Sequence, residues 1–393
     1  MFSFLKNFFR NNKKDNFLIM SFLENRTELV ALEADFINKD LEIKTIFTKE
    51  MPDALIAKDI PLEIITYLKK IFSSVFYPKA YKVIFVFGPG LAVTNFGSVS
   101  VLRDNIHELI TEANLENLIS KATFNFFGPH RKYASNRFNA SELETLICDV
   151  RIYDVLLDKH PSINLLKEKG KKLEFYLSET FCHRDFLKKI ISLLPARAKL
   201  AFITEGGSTL VHLAARFLKK PFLFARVGLH ETNLFLKAKD GNISYFDSFE
   251  WGKDVLYASL AKELCVSKEV AKSILMRYLK NNTSSLFARK LGLLVKKELA
   301  LLNKGLEIMK SKAKIKSLAL ELEPLLIKDL KLKNISSKSL MSIDSETILN
   351  FFNFQTDNGL GLYSLAALLE SYFTPQEDLI NKLARRRMRW LIP

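Results

Sequence analysis

The chain has 393 residues, 48% of them apolar, and its 59 Lys plus Arg against 43 Asp plus Glu leave a net charge of +16. That length and apolar share supply more than one core and exclude a disordered tail, while the excess of positive charge calls for an anionic partner or surface. Cys148, Cys182 and Cys265 lie far apart without CxxC spacing, which argues against a disulfide framework or a zinc site and for a reducing, intracellular compartment.

The first element read from the N-terminus is an amphipathic helix. Phe2, Phe4, Leu5, Phe8 and Phe9 fall on one face, with Lys6 and Arg10 opposite, and a polar basic stretch follows at Asn11–Asp15. Aromatic residues beside positive charge suit the headgroup boundary of an anionic membrane surface; a helix docked on its own domain is the alternative. Lys6 interrupts the apolar run, against a secretory leader, and no run approaches the roughly 18 apolar residues of a spanning helix.

From Phe17 the pattern predicts a hairpin with a polar turn at Glu24–Thr27, a third strand at Leu41–Phe47, a helix at Pro61–Val75 and a strand at Lys82–Phe87. Residues 106–194 have a separate rhythm: a helix over Glu112–Phe127, strands at Leu146–Leu157 and Lys172–Leu177, then a helix from His183. The first pattern resumes with a strand at Lys199–Ile203 and a helix at Ser208–Leu218. A second hairpin is formed by strands at Phe222–Val227 and Asn233–Ala238, joined through Gly228–Thr232, and Asp240-Gly241 turns into a third strand at Ile243–Phe249. Helices at Lys253–Leu264, Ser267–Leu279 and Ser284–Lys310 precede a strand at Ile315–Leu320 and a helix at Gly361–Tyr372.

The C-terminal segment from Asp378 to Pro393 places Leu379, Ile380, Leu383, Trp390 and Leu391 on one face and Lys382, Arg385, Arg386 and Arg389 on the other. Leu383, Arg385, Arg386, Trp390 and Leu391 are therefore expected to form a second membrane contact, against the alternatives of a solvated tail or a helix packed on the body. Two weak anchors together hold a protein better than either alone.

The strand Val83–Gly90, the helix Ile110–Ala122 and the strand Lys171–Ser178 stand in the order that brings a known family to mind. With Phe222–Thr232 in the place of a second phosphate hairpin and Phe249–Ala261 as a turn entering a helix, the chain resembles FtsA, the bacterial actin homologue that tethers the division ring to the membrane, and its relative PilM of type IV pilus assembly. The resemblance implies an α/β fold of duplicated actin-like (ribonuclease H-like) halves with an inserted α+β subdomain of SHS2 type. The boundaries it implies are a membrane helix over 1–14, a first half over 15–105, the insertion over 106–194, a return over 195–220, a second half over 221–340, a C-terminal return over 341–374 and a basic tail over 375–393.

The positions corresponding to the family's nucleotide contacts are Asn25, Arg26 and Thr27 in the first turn, Gly228, His230 and Thr232 in the second, and Glu269 on a following helix. The first turn lacks the family's Asp and glycines, Arg226 stands near the second Asp, and Leu320–Pro324 replaces a Gly-Gly turn. Backbone N–H groups and a metal-holding carboxylate are what phosphates need, so a degenerate site is expected, with no cofactor, no catalytic residues and a pseudo-ATPase character; a working Mg-ATP site is the rival. Glu205-Gly-Gly-Ser-Thr209 lacks the Lys of a phosphate loop and reads as a structural turn, Cys182-His183 has no orienting carboxylate, and no metal-ligand spacing occurs. The basic residues between Arg289 and Lys316 read as a solvated face or a seat for an acidic peptide.

The partners expected are an anionic membrane surface, an FtsZ-like division protein or pilus machinery, and further copies of the chain in filaments, with no nucleic acid. The location expected is the cytoplasm, peripheral on the inner face of the membrane.

Overall fold

A computed structural model describes residues 14–23, 26–50, 65–66, 69–70, 81–88, 90–162, 164–194, 198–218, 220–322, 326, 340–356, 360–373 and 379–388. The predicted N-terminal helix, most of the helix at 61–75, and Asn25, Trp390 and Leu391 lie outside them. Two compact units divide the chain: residues Met1–Leu213 with Leu349–Pro393, and residues Ala214–Ile348.

The first unit contains two sheets. Strands β1 (Asp15–Phe22), β2 (Arg26–Asp35), β3 (Asp40–Glu50), β4 (Tyr81–Phe87) and β9 (Ala198–Glu205), with the short β15 (Gln355–Thr356), form a sheet in the order β15-β3-β2-β1-β4-β9. β1 runs antiparallel to β2 and parallel to β4, which is parallel to β9. The apolar runs Phe17–Met20 and Val83–Phe87 are continuous because both faces of these central strands are covered, and all of their residues are buried. One face carries α2 (Arg184–Ser192), whose Phe186, Leu187 and Ile190 enter the core beside Phe22 and Phe87. Helix α8 (Leu362–Phe373) buries Ser364 through Glu370 without interruption.

Between β4 and β9 the chain builds the second sheet, β5-β8-β6-β7, from β5 (Ala92–Leu102), β6 (Thr145–Leu157), β7 (His160–Pro161) and β8 (Lys172–His183). β5 pairs with β8 along its whole length, so this sheet begins at Ala92 and not at residue 106 as expected. Helix α1 (Glu112–Phe138) covers one face. The sequence pattern ends that helix at Phe127, before Gly128-Pro129; the structure carries it on to Phe138. Gly128 and Pro129 lie on its exposed side, so the carbonyl that loses a donor to proline faces water, while Phe126, Phe127 and Ala134 hold the other side in the core.

The second unit repeats the first strand order. Strands β10 (Phe222–Val227), β11 (Thr232–Lys237), β12 (Ile243–Phe249), β13 (Leu318–Glu321) and β14 (Leu340–Ser342) lie in the order β12-β11-β10-β13-β14, with β10 antiparallel to β11 and parallel to β13. Helices α4 (Lys253–Leu264), α5 (Lys268–Leu279) and α6 (Ser285–Ala313) stand between β12 and β13 and share one core with them. Helices α3 (Gly206–Phe217) and α7 (Ser345–Phe352) each run through a boundary between the units. No helix among the described residues is long and apolar enough to cross a membrane.

Candidate functional site

The two hairpins where phosphate contacts are expected can be compared position by position. In the first unit Phe22 pairs with Thr27 and Ser21 with Glu28; in the second, Val227 pairs with Thr232 and Arg226 with Asn233. Thr27 and Thr232 thus hold equivalent places, each fully buried. Thr232 Oγ1 donates to the carbonyl of Trp251 at 2.7 Å, whereas Thr27 Oγ1 has no hydrogen-bond partner among the described residues.

In the first unit the hydroxyl of Ser364, on α8, lies 2.8 Å from Ser21 Oγ and donates a short hydrogen bond to the Glu28 carboxylate. All three residues are buried, and Gly361 comes so close to the carboxylate that a Cβ there would overlap it. The N-terminus of α3 is closed by its own chain: Glu205 accepts from Gly207 N at 2.9 Å and from Ser208 N at 2.8 Å. Glu205-Gly-Gly-Ser-Thr209 is therefore the structural turn expected, with its anion-attracting N–H groups occupied.

In the second unit Arg226 on β10 stands beside Glu321 on β13, Nε to Oε2 3.7 Å apart, both buried. The guanidinium occupies the region where an acidic metal-holding side chain is expected, and the carboxylate lies in the strand end that would lead into the Gly-Gly turn. Gly228 N donates to Glu231 O at 2.9 Å, and the carbonyls of Gly228 and Leu229 accept from Lys253 N and Asp254 N at 3.0 and 2.8 Å. The first N–H groups of α4 are thus taken by the hairpin. Gly252 permits this approach, because a Cβ there would collide with the backbone of Leu229 and His230. His230 is exposed, and Glu269 lies in the first turn of α5, where hydrogen bonds from its own backbone and Ser267 hold its carboxyl below the usual range. The neighbouring Lys268 pairs with Asp254, whose N–H donates to the carbonyl of Leu229 in the second turn.

The remaining face of the inserted sheet is lined differently. At its base Cys148 and Cys182 enter the core of the six-stranded sheet, and burial pushes the Cys148 thiol up. Further along, Thr94 Oγ1 and Thr180 Oγ1 lie 3.0 Å apart, and the Arg151 guanidinium lies over the Phe202 ring at 4.0 Å. Tyr153 and Phe96 each place a ring 5.3 Å from that of His212. Arg151 Nε donates to Asp149 at 2.6 Å, and Glu370 lies 3.5 Å from Arg151 Nη1. This seam holds a buried guanidinium between two carboxylates and an aromatic cluster of which Tyr153 is the half-exposed member. Sequence reasoning did not single out these residues; the signal was the charged residues inside the strand Cys148-Asp-Val-Arg-Ile-Tyr-Asp-Val, which mark a second covered face that is polar. On the opposite face, Glu179 is completely buried with no hydrogen-bond partner among the described residues, and burial pushes its carboxyl well up.

The C-terminal segment corrects an expectation. Helix α9 (Leu379–Met388) packs on the inserted subdomain with Leu383 and Ala384 in its core. Asn381 brackets the edge of β6, accepting from Ile152 N at 2.9 Å and donating to Ile152 O at 3.0 Å. Arg385 pairs with Asp149 at 3.2 Å, and Arg386 forms a short ion pair with Glu116 that holds the Glu116 carboxyl below its usual range. Leu383 is buried against the inserted subdomain and so is not a lipid contact in this structure, Arg385 is turned to Asp149, and Arg386 stays exposed while paired with Glu116.

Among the described residues no cluster of His, Cys, Asp or Glu is arranged to hold a metal ion. No protein-family profile and no curated protein matches the sequence. The chain is similar in structure to the PilM–PilN type IV pilus biogenesis complex, with 11% identity, 96% of this chain and 99% of that one covered, and a TM-score of 0.53. Two further similar structures are the ethanolamine utilization protein EutJ from Carboxydothermus hydrogenoformans, at 8% identity, 92% of each chain and a TM-score of 0.44, and an archaeal actin homologue, at 9% identity, 90% of this chain, 99% of that one and a TM-score of 0.42. With two sheets of matching strand order and a subdomain inserted in the first, the chain has the fold of the actin-like ATPases.

Proposed function

We propose that this chain is a binding protein and not an ATPase: an actin-fold adaptor on the inner face of a membrane, serving a PilM-like role in a pilus or secretion machine. The observation that carries the first half of this reading is that, in each unit separately, the helix N-terminus and the sheet end that would meet phosphate are already satisfied by the chain's own Glu205, Ser364–Glu28, Arg226–Glu321 and Gly228–Leu229. A phosphate arriving there displaces existing partners and gains little. The likeness to the PilM–PilN structure over nearly the whole of both chains supports the pilus reading. A short cytoplasmic segment of a membrane-bound partner would meet this protein at the seam beside the inserted subdomain, around Tyr153.

An FtsA-like role, tethering a division ring through an FtsZ-like partner, is the second reading; it rests on the order of elements in the sequence. Both are adaptor roles, and both are separated from a working ATPase by thermal unfolding with and without Mg-ATP. A ligand at a hundred times its dissociation constant stabilises by about 2.7 kcal/mol. We expect no rise in Tm; a rise of several degrees overturns the pseudo-ATPase reading. Substituting Tyr153→Ala is expected to weaken capture of a pilus-type partner peptide with some loss of Tm, and Tyr153→Phe, which keeps the ring beside His212, is expected to recover the Tm.

A further inference from the structure

Helix α6, 29 residues long, buries Leu291, Val295, Leu299, Leu302 and Leu306 in the core of its unit. It also carries a second apolar line on its outside: Leu286 is 80% exposed, Leu293 67%, Leu301 55% and Ile308 49%. The spacing of these four averages about 3.7 residues per turn, close to the helix's own period, so they run straight along the solvent side for several turns. Lys290, Lys297 and Lys304 are exposed between them, and exposed Arg289 flanks the line. The acids of the same helix do not balance these cations: Glu298 is buried and accepts from Ser259 at 2.8 Å, and Glu307 is paired with Lys310 at 3.3 Å.

We infer that the outer face of α6 is a lipid contact that lies flat on an anionic membrane surface, its ammonium groups in the phosphate layer and its aliphatic side chains at the boundary with the acyl chains. This deepens the adaptor reading and rests on it only in placing the chain at a membrane. The interleaving of the two residue types decides between occupants. In the dry centre of a protein interface a lysine between two leucines must lose its hydration, which is why such centres are poor in Lys. At a lipid surface the lysine stem lies along the apolar layer and its head reaches back to phosphate, so alternation is favourable. A second copy presenting the same face would set lysines against lysines, and nucleic acid would satisfy the lysines while leaving the leucines uncovered.

The test is partition of the full chain onto vesicles of phosphatidylcholine with and without phosphatidylglycerol. One variant carries Leu286→Gln, Leu293→Gln and Leu301→Gln; another carries Lys290→Gln, Lys297→Gln and Lys304→Gln. All six positions are exposed, so circular dichroism and Tm should match the parent. Each cation near an anionic surface accounts for about a fivefold change in partition, so the lysine variant should lose about a hundredfold on the anionic vesicles and the leucine variant at least tenfold. A fluorophore on Leu293→Cys, in a Cys265→Ser background, should shift to the blue on anionic vesicles and not on neutral ones.

Parent-like binding by both variants, with no shift at position 293, overturns the α6 contact while leaving a membrane adaptor anchored elsewhere. Loss of vesicle binding by every form, the parent included, overturns the contact together with the membrane part of the adaptor reading. A shift produced by an acidic amphipathic peptide but not by vesicles assigns the face to a protein and likewise overturns the lipid contact.

Discussion

The six-stranded sheet of the first unit and the five-stranded sheet of the second share a strand order and differ at the end where the actin-like fold would meet phosphate. At register-equivalent positions the first unit has Ser21 and Glu28, closed by a hydroxyl from Ser364, and the second has Arg226 and Asn233, with Arg226 beside the Glu321 carboxylate. One end is a buried hydrogen-bond network and the other a buried ion pair. Strand order depends on buried apolar runs and hairpin connections, which both units retain, whereas the side chains at the sheet end are free to change provided that each buried polar group finds a partner. Duplication of the fold therefore does not entail duplication of a site.

The comparison is broken most forcefully at the ion pair. Arg226→Ala leaves the Glu321 carboxylate buried without its cation and should destabilise by about 3–5 kcal/mol. The double variant Arg226→Met, Glu321→Leu should recover most of that loss. Urea unfolding measures both, and a small loss in the single variant would show that the pair is not what closes this end.

Gly252→Ala should come next. Its Cβ meets backbone, which cannot turn aside as a side chain can, so a loss at the upper end of the ~1–3 kcal/mol range for overpacking is expected, with faster amide exchange at Lys253 and Asp254. The smallest effect belongs to the first unit. Ser364→Ala removes the donor to a buried carboxylate and should cost about 1–3 kcal/mol; Ser364→Thr keeps the hydroxyl and should recover part of it. If Ser364→Ala costs more than Arg226→Ala, the hydrogen-bonded end and not the ionic one is the tighter of the two.

Much of this fold was legible in the sequence where a local pattern carried it. Phe222–Val227, Ile243–Phe249 and Lys253–Leu264 have the predicted bounds, because an apolar run between turn residues, or apolar residues at helical spacing after Gly252, admits few other structures. The pattern was less informative where local rules and packing disagree. Gly128-Pro129 reads as a stop, yet α1 continues because its buried side continues. Val93-Thr-Asn-Phe-Gly-Ser-Val is too polar to announce β5, a strand that pairs along its full length with β8. The amphipathic character of the C-terminal segment was read correctly, but amphipathicity says only that one face seeks an apolar surface and does not say whose.

The sequence by itself determined the duplicated strand order and a separate α+β rhythm within the first half, because each of these is written in local order and residue type. Only the tertiary structure decided which side chains meet at the sheet ends and where the amphipathic faces of α6 and α9 go. Ser364 reaches Ser21 and Glu28 from the far end of the chain, Asn381 brackets Ile152, and the outer line of α6 is left in solvent while its inner line is buried. Such pairings join residues hundreds of positions apart, and only the folded chain sets which surfaces meet.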